Sequence, residues 1–470
     1  MRKRLRRPAG VVSIALGLVV AFASAVSAQA VSSERLITEI DSVLDLSMHG
    51  MRAADHLGLD VASGDINGDG VDDLVVGAPL GDPGGLLNAG ETYIFYGPLG
   101  PGTIDPADAD VTIYGVDPKS QSGRNLAISD VNDDGAADLI VGALTTDPGD
   151  GRPGAGEIYI VFGPIGPGIV ELSTEADIVI EGIAERDHSG SSVGGGDLNG
   201  DGMADLVIGG VDASPGLRTR SGDAFVVFGP LIAGTYRLEQ IVDVTIQGIQ
   251  ISDQLGYGVA VGDVNHDGVQ DLVMGAMGAS PFLRIDAGMS FVVLGPLAAG
   301  RFELLLEADI IFEGAVSGDL SGGDIEVGDL DNDGVDDVII GAQWADGLSQ
   351  DSGQVAIFFG PRSNGTFNLT DADVTYNGIN ARDATGGGLA LGDLDDDGRE
   401  DLIIGAGLAD GFEREDSGAV YVIFASSLPF SLPERGGSLS TIQVAGLAVA
   451  VFLVVTPAVY WWLRRRPLDA

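Results

Sequence analysis

Residues 255–276 read Leu255-Gly256-Tyr257-Gly258-Val259-Ala260-Val261-Gly262-Asp263-Val264-Asn265-His266-Asp267-Gly268-Val269-Gln270-Asp271-Leu272-Val273-Met274-Gly275-Ala276. One β-rich run enters an acidic nonapeptide and a second leaves it. The nonapeptide has the form Asp-x-(Asn/Asp)-x-Asp-Gly-x-x-Asp. The chain writes it six times, beginning at Asp65, Asp130, Asp197, Asp263, Asp329 and Asp393, and successive copies lie 64 to 67 residues apart. A single copy carries little information. Six in register mean a repeated structural unit, and a fixed period of this kind signals a solenoid, a propeller or an array.

The second unit shows the plan. Residues 109–115, 125–129, 139–143 and 157–164 are short runs of β-branched and aromatic residues, punctuated by Gly, Pro and Asp. Each reads as a strand. No helical period stands out between the two ends of the chain. The run after each acidic loop, such as Leu74-Val75-Val76-Gly77-Ala78 or Leu402-Ile403-Ile404-Gly405-Ala406, is apolar on both faces and is expected to be buried between sheets. The run before the loop is often Gly-rich, as at Gly194-Gly195-Gly196, which suits innermost strands crowding a central channel. Four strands repeated around an axis make a propeller blade. The expected fold is therefore an all-β propeller of six four-stranded blades over residues 34–426.

The pattern Leu-Gly-x-x-Val-Ala-x-Gly-Asp, then the acidic loop, then Asp-Leu-x-x-Gly-Ala and Phe-Gly, resembles the FG-GAP repeat. That repeat builds the N-terminal propeller of integrin α chains and occurs in many bacterial surface proteins. The resemblance implies a propeller with cation loops on one face and ligands docking on the other. The integrin propeller has seven blades. Residues 31–50 are too few for a seventh here, so six are expected.

The loop spacing carries its own chemistry. Positions 1, 3 and 5 turn oxygens to one side of a tight turn, and Gly at position 6 allows the backbone to reverse. Position 7 has only a main-chain carbonyl to offer, and position 9 returns an Asp. Oxygen-only ligands rich in carboxylate select a hard cation, with Ca²⁺ favoured over Mg²⁺ by ligand number and flexibility. About six Ca²⁺ sites are expected. Their ligands are Asp65, Asn67, Asp69, Val71 and Asp73 in the first, and Asp130, Asn132, Asp134, Ala136 and Asp138 in the second. The third has Asp197, Asn199, Asp201, Met203 and Asp205, and the fourth Asp263, Asn265, Asp267, Val269 and Asp271. The fifth has Asp329, Asp331, Asp333, Val335 and Asp337, and the sixth Asp393, Asp395, Asp397, Arg399 and Asp401. An EF-hand is excluded because the flanks are β and the closing acid stands at position 9 rather than 12.

The chain has 470 residues, 70 acidic against 24 basic, and a formal charge of -46, so it should repel nucleic acid. Hydrophobic residues make up 45% of it, too many for a disordered acidic chain. There is no cysteine, which removes thiol nucleophiles, Cys-based zinc sites and Fe–S clusters.

The N-terminus has a basic head, an apolar run from Val11 to Val26 and small residues at the exit. These are the marks of a signal peptide over residues 1–28. A linker at 427–438 precedes a second apolar run, 439–463, ending in Trp461-Trp462 and followed by a basic tail, 464–470. This reads as one transmembrane helix with the propeller outside the cell. The four histidines stand in no catalytic arrangement. The expected function is calcium-dependent adhesion or recognition of an extracellular protein or glycan, without enzymatic activity. The alternative is an extracellular propeller enzyme acting on polysaccharide.

Overall fold

The computed structural model describes residues 36–428, apart from 379, 412 and 413. The signal segment, the apolar run at 439–463 and the basic tail lie outside the described residues. No described helix is long and apolar enough to cross a membrane.

Six sheets of five strands make six blades. In blade 1 the strands run outward as Val61–Gly64, Asp73–Ala78, Glu91–Phe95 and Val111–Tyr114, all antiparallel. Every residue of the second strand is buried in all six blades, as its two apolar faces require. The core is six layers, each between neighbouring blades. Val75, Ile94 and Val111 of blade 1, for example, pack with Leu139, Val141 and Tyr159 of blade 2. The layer between blades 6 and 1 joins Ile403 and Val422 to Leu74 and Val76, so the ring is closed by the same packing. Full burial of one such aliphatic side chain contributes about 1.5–3 kcal/mol.

Two expectations need correction. First, the sheets have five strands rather than four. The segment between the third and fourth strands of each blade reaches back and pairs, parallel, with the outermost strand of the preceding blade. Gly168–Glu171 of the second unit extends blade 1 in this way, and Gly365–Asn368 of the fifth extends blade 4. These strands are short and largely exposed, so no buried face marks them. Second, single-turn helices sit beside them at Leu172–Glu175, Leu238–Ile241 and Leu304–Glu307. Four residues are too few to show a helical period.

The blades are also offset from the sequence units. The first run of each unit, Val111–Tyr114 in the second, closes the blade before it. Among the described residues no further unit follows the sixth, and the N-terminal segment supplies the fourth strand of its blade. Leu46–His49 pairs antiparallel with Ala419–Ile423 as the fourth strand of blade 6, and Leu36–Glu39 extends blade 5. Residues too few for a seventh blade thus complete the fifth and sixth.

Asp45 secures this closure. Its Oδ2 accepts from the Phe424 N–H at 2.9 Å, and its Oδ1 from the Ser427 hydroxyl at 2.9 Å. Asp110, Asp177, Asp243, Asp309 and Asp373 bind the end of the third strand in the other blades. Those joints lie within a continuous stretch of chain, whereas Asp45 joins the two ends. Asp45→Ala is expected to cost about 1–3 kcal/mol by orphaning a backbone donor. Chemical denaturation should show it as a lower midpoint with an unchanged slope.

Candidate metal centres

Each acidic loop joins the first strand of a blade to the second, so antiparallel pairing puts all six on one face. The loops share one backbone. Position 6 is glycine with φ of 93°, 89°, 90°, 88°, 87° and 85° from the first loop to the sixth. Position 4 is also left-handed, and there Asp133, His266, Asn332 and Asp396 adopt φ near 60° at some strain.

The aspartates divide the work. Position 1 holds the turn: Asp65 accepts from the N–H groups of Gly68, Asp69 and Gly70. Position 5 accepts from the N–H of position 7, as Val71 gives to Asp69 at 3.0 Å. Ala136, Met203 and Val269 do the same in their loops. Position 9 is buried. Asp73 Oδ2 accepts from the N–H groups of Ile66 and Asn67, both at 3.1 Å, and its Oδ1 from Gly97 N–H at 2.9 Å. The last bond ties the loop to the end of the third strand. It recurs from Gly163, Gly229, Gly295 and Gly360, and from Ala425 in the sixth blade, where the Gly-Pro is lost.

The donor sets fit a cation. Carboxylate oxygens of Asp329, Asp331 and Asp333 lie within 4.8 Å of one another, as do those of Asp393, Asp395 and Asp401. In the other four loops position 3 is Asn, which presents an amide oxygen instead. Asn132 Oδ1 and Asn265 Oδ1 are buried without a hydrogen-bond donor, and so is Asp271 Oδ2. A buried oxygen with no donor is destabilising unless a cation or water takes its lone pairs. A hard divalent ion held by positions 1, 3, 5 and 9 would satisfy these atoms and neutralise the crowded carboxylates.

Sequence reasoning missed two further sets. Position 8 stitches neighbouring loops: Asp72 accepts from Asp393 N–H at 2.9 Å, Gln270 from Asp197 N–H at 2.5 Å, and Asp336 from Asp263 N–H at 2.7 Å. The first of these bonds joins blades 6 and 1. The central channel holds Asp60, Asp324 and Glu326. Asp60 accepts from Leu126 N–H at 2.6 Å, and Asp324 from Leu389 N–H at 2.5 Å, each linking its blade to the next. Burial pushes all three carboxyls up, Glu326 to about 8. The only signal was an acid where the other units carry Asn125, Ser192, Gly258 and Gly388 at the position of Asp60 and Asp324, and Ala or Gly at that of Glu326.

Four stretches match the FG-GAP repeat family: 57–95, 255–292, 321–358 and 385–423. They correspond to blades 1, 4, 5 and 6, and blades 2 and 3 repeat the same strands and loops. The chain is 29% identical over 239 residues to integrin alpha pat-2 of Caenorhabditis briggsae, which covers 48% of this chain and 18% of that protein. It is 33% identical over 172 residues to integrin alpha-PS2 of Drosophila melanogaster, covering 34% and 12% respectively.

This chain is an FG-GAP repeat protein with an integrin α-like β-propeller. The FG-GAP propeller is also similar to phosphatidylinositol-glycan-specific phospholipase D of Rattus norvegicus, 33% identical over 171 residues, or 35% of this chain and 19% of that protein. The chain therefore spans a fifth or less of the length of each of these relatives.

The FG-GAP loops are expected to respond to pH in a way that cation removal reveals. Burial raises the position-9 aspartates: Asp73, Asp138, Asp205 and Asp271 to about 6, Asp401 to about 7 and Asp337 to about 8. A folded-state value above the unfolded one means the native chain holds more protons across that window. Stability of the metal-free protein then falls as pH rises from about 4 to 8. A bound cation displaces those protons and removes the penalty. Melting temperature followed from pH 5 to pH 8 should fall steeply in chelator and little in calcium. Superimposable curves would refute the coupling.

A pair of substitutions separates anchor from ligand. Asp73→Ala removes acceptors for buried backbone donors and should cost about 3 kcal/mol even in chelator. Asp69→Ala, at an exposed position, should change chelator stability by under about 1 kcal/mol while lowering calcium stoichiometry by one site.

Proposed function

We propose that this chain is a calcium-stabilised, non-enzymatic recognition module held outside the cell, and that its ligand docks on the face opposite the acidic loops. That face carries two loop sets, one between the second and third strands and one leading from each blade into the next. The sets are joined by backbone bonds, such as Lys119 N–H to Leu87 O at 2.8 Å and Gly318 N–H to Ile285 O at 3.0 Å. Loops braced this way are pre-ordered for binding.

The observation that carries the reading is at Phe282 and Leu283. They are 83% and 93% exposed, with φ of 48° and 68°. In blade 1 the same turn after proline is Gly84-Gly85, with φ of 58° and 87°. Glycine takes this conformation freely; Phe and Leu do not. Blade 4 thus bears backbone strain and exposes two large apolar side chains where its homologous loop does neither. Exposed apolar groups and strained backbone both cluster at binding sites. Export by residues 1–28 and anchoring by 439–463 would present this face to the surroundings. The enzymatic reading rests on the phospholipase similarity, which takes in a fifth of that enzyme.

A chain ending before residue 439 should appear in the medium as folded protein and bind cells or matrix in a calcium-dependent way. Phe282→Gly with Leu283→Gly should leave its melting temperature equal or higher and weaken binding at least about tenfold, or 1.4 kcal/mol. Undiminished binding by the double variant would rule out this face.

A further inference from the structure

A cleft of about 1330 Å³ opens between blades 2 and 3, reached from the face opposite the acidic loops. Its origin lies in one pair of residues on the third strand. In blade 1, Tyr93 donates its hydroxyl to Glu91 at 2.6 Å, and Arg52 binds the same oxygen at 3.0 Å. In blade 2, Tyr159 donates to Glu157 in the same way. Blade 3 keeps the acid, one methylene shorter, as Asp223, and replaces the tyrosine by Phe225. The phenol that should bind the carboxylate is gone.

Asp223 lines the cleft and is only 7% exposed, and its Oδ1 has no hydrogen-bond donor. Its surroundings are unusual for a chain of charge -46. Arg186, Arg218, Arg220 and Arg301 all line the same cleft, interleaved with Glu185, Asp187, Asp212 and Glu239. Arg220 is engaged by Asp212 at 2.6 Å and Arg186 by Glu185 at 3.7 Å, while Arg218 donates to Gln247 at 3.0 Å and stands 3.6 Å from Glu303. The Arg301 guanidinium enters no ion pair among the described residues.

The groups left open are the Asp223 oxygen and the Arg301 guanidinium, so a ligand that joins them brings hydrogen-bond donors to the first and an anion to the second. A basic side chain would suit Asp223 but face the arginines as a like charge. An acidic peptide side chain would suit the arginines and leave Asp223 beside another anion. A sugar acid supplies both groups at once. Its hydroxyls donate to the carboxylate, and its own carboxylate accepts the paired donors of arginine. Resting on the recognition reading above, we propose that this cleft is a subsite for a uronic-acid saccharide. Asp223 receives its hydroxyls, and Arg218 and Arg301 hold its carboxylate.

The calcium-loaded, anchor-free chain should be tested on an array of uronic-acid oligosaccharides beside their neutral counterparts. Triglucuronate and cellotriose, which differ only at C6, serve for titration. Wild type should prefer the uronide. Asp223→Glu with Phe225→Tyr rebuilds the pairing of blade 2 and should keep the melting temperature while weakening uronide binding at least about tenfold. Arg301→Gln should erase the preference for the acid over the neutral sugar. Wild-type affinity in the rebuilt variant would overturn the proposal, as would failure of every uronide, or a protein ligand competing at this cleft instead. If uronides fail while the Phe282 and Leu283 variant still loses cell binding, the sugar subsite falls and the recognition face stands. If neither effect is seen, both fall.

Discussion

One buried aspartate per blade ties the acidic loop to the rest of its blade. Asp73 and its five counterparts accept from the start of their own loop and from the end of the third strand. Without them the hairpin tip would have no fixed relation to the blade. Yet burial opposes their charge, and the carboxylates of positions 1 and 5 stand close by. The loop is thus a joint under electrostatic load. A divalent ion bound there would offset that load. Metal affinity and folding stability become two readings of one carboxylate.

Ring closure follows a second constraint, the geometry of strand pairing. A propeller built from whole units would close only by packing. Here the offset between unit and blade makes each blade depend on its successor for two strands, the fourth and the fifth. The last blade has no successor, so the N-terminal segment plays that part at Leu46–His49, with Asp45 as its clasp. Position 8 adds a polar stitch at the same seam, from Asp72 to Asp393. Packing, pairing and side-chain bonding all cross the seam between the first and last described segments.

What the sequence revealed and what it hid divide along physical lines. The second strands were legible because both their faces are buried, so Leu74-Val75-Val76 reads as a continuous apolar run. The acidic loops were legible because their spacing is a geometric requirement. The fifth strands, such as Gly365–Asn368, were not, since their partner is backbone from another unit and neither face is fully covered. Position 8 was hidden because its role depends on the neighbouring blade, and Asp72, Gln270 and Asp336 share no single chemistry. The channel acids were visible as letters, but nothing local says that residues 60 and 324 face one cavity.

The repeats also supply an internal control that a single-copy fold lacks. Six positions with the same backbone should carry side chains of the same role unless something else constrains one of them. Most do: a calcium-type loop, a capping aspartate and an apolar second strand recur throughout. Two exceptions lie on the face away from the acidic loops. Phe282 and Leu283 occupy a conformation that Gly84 and Gly85 fill in blade 1, and Asp223 lacks the phenol that Glu91 and Glu157 have in blades 1 and 2. Each departure is costly for the isolated chain, through strain in one case and an unpaired acceptor in the other. Other blades of the same molecule show the cheaper solution: Gly84-Gly85 in blade 1, and the paired Tyr93 and Tyr159 in blades 1 and 2. A contact beyond the chain gives a reason for both departures, since a partner can cover the exposed apolar pair and supply the missing donor.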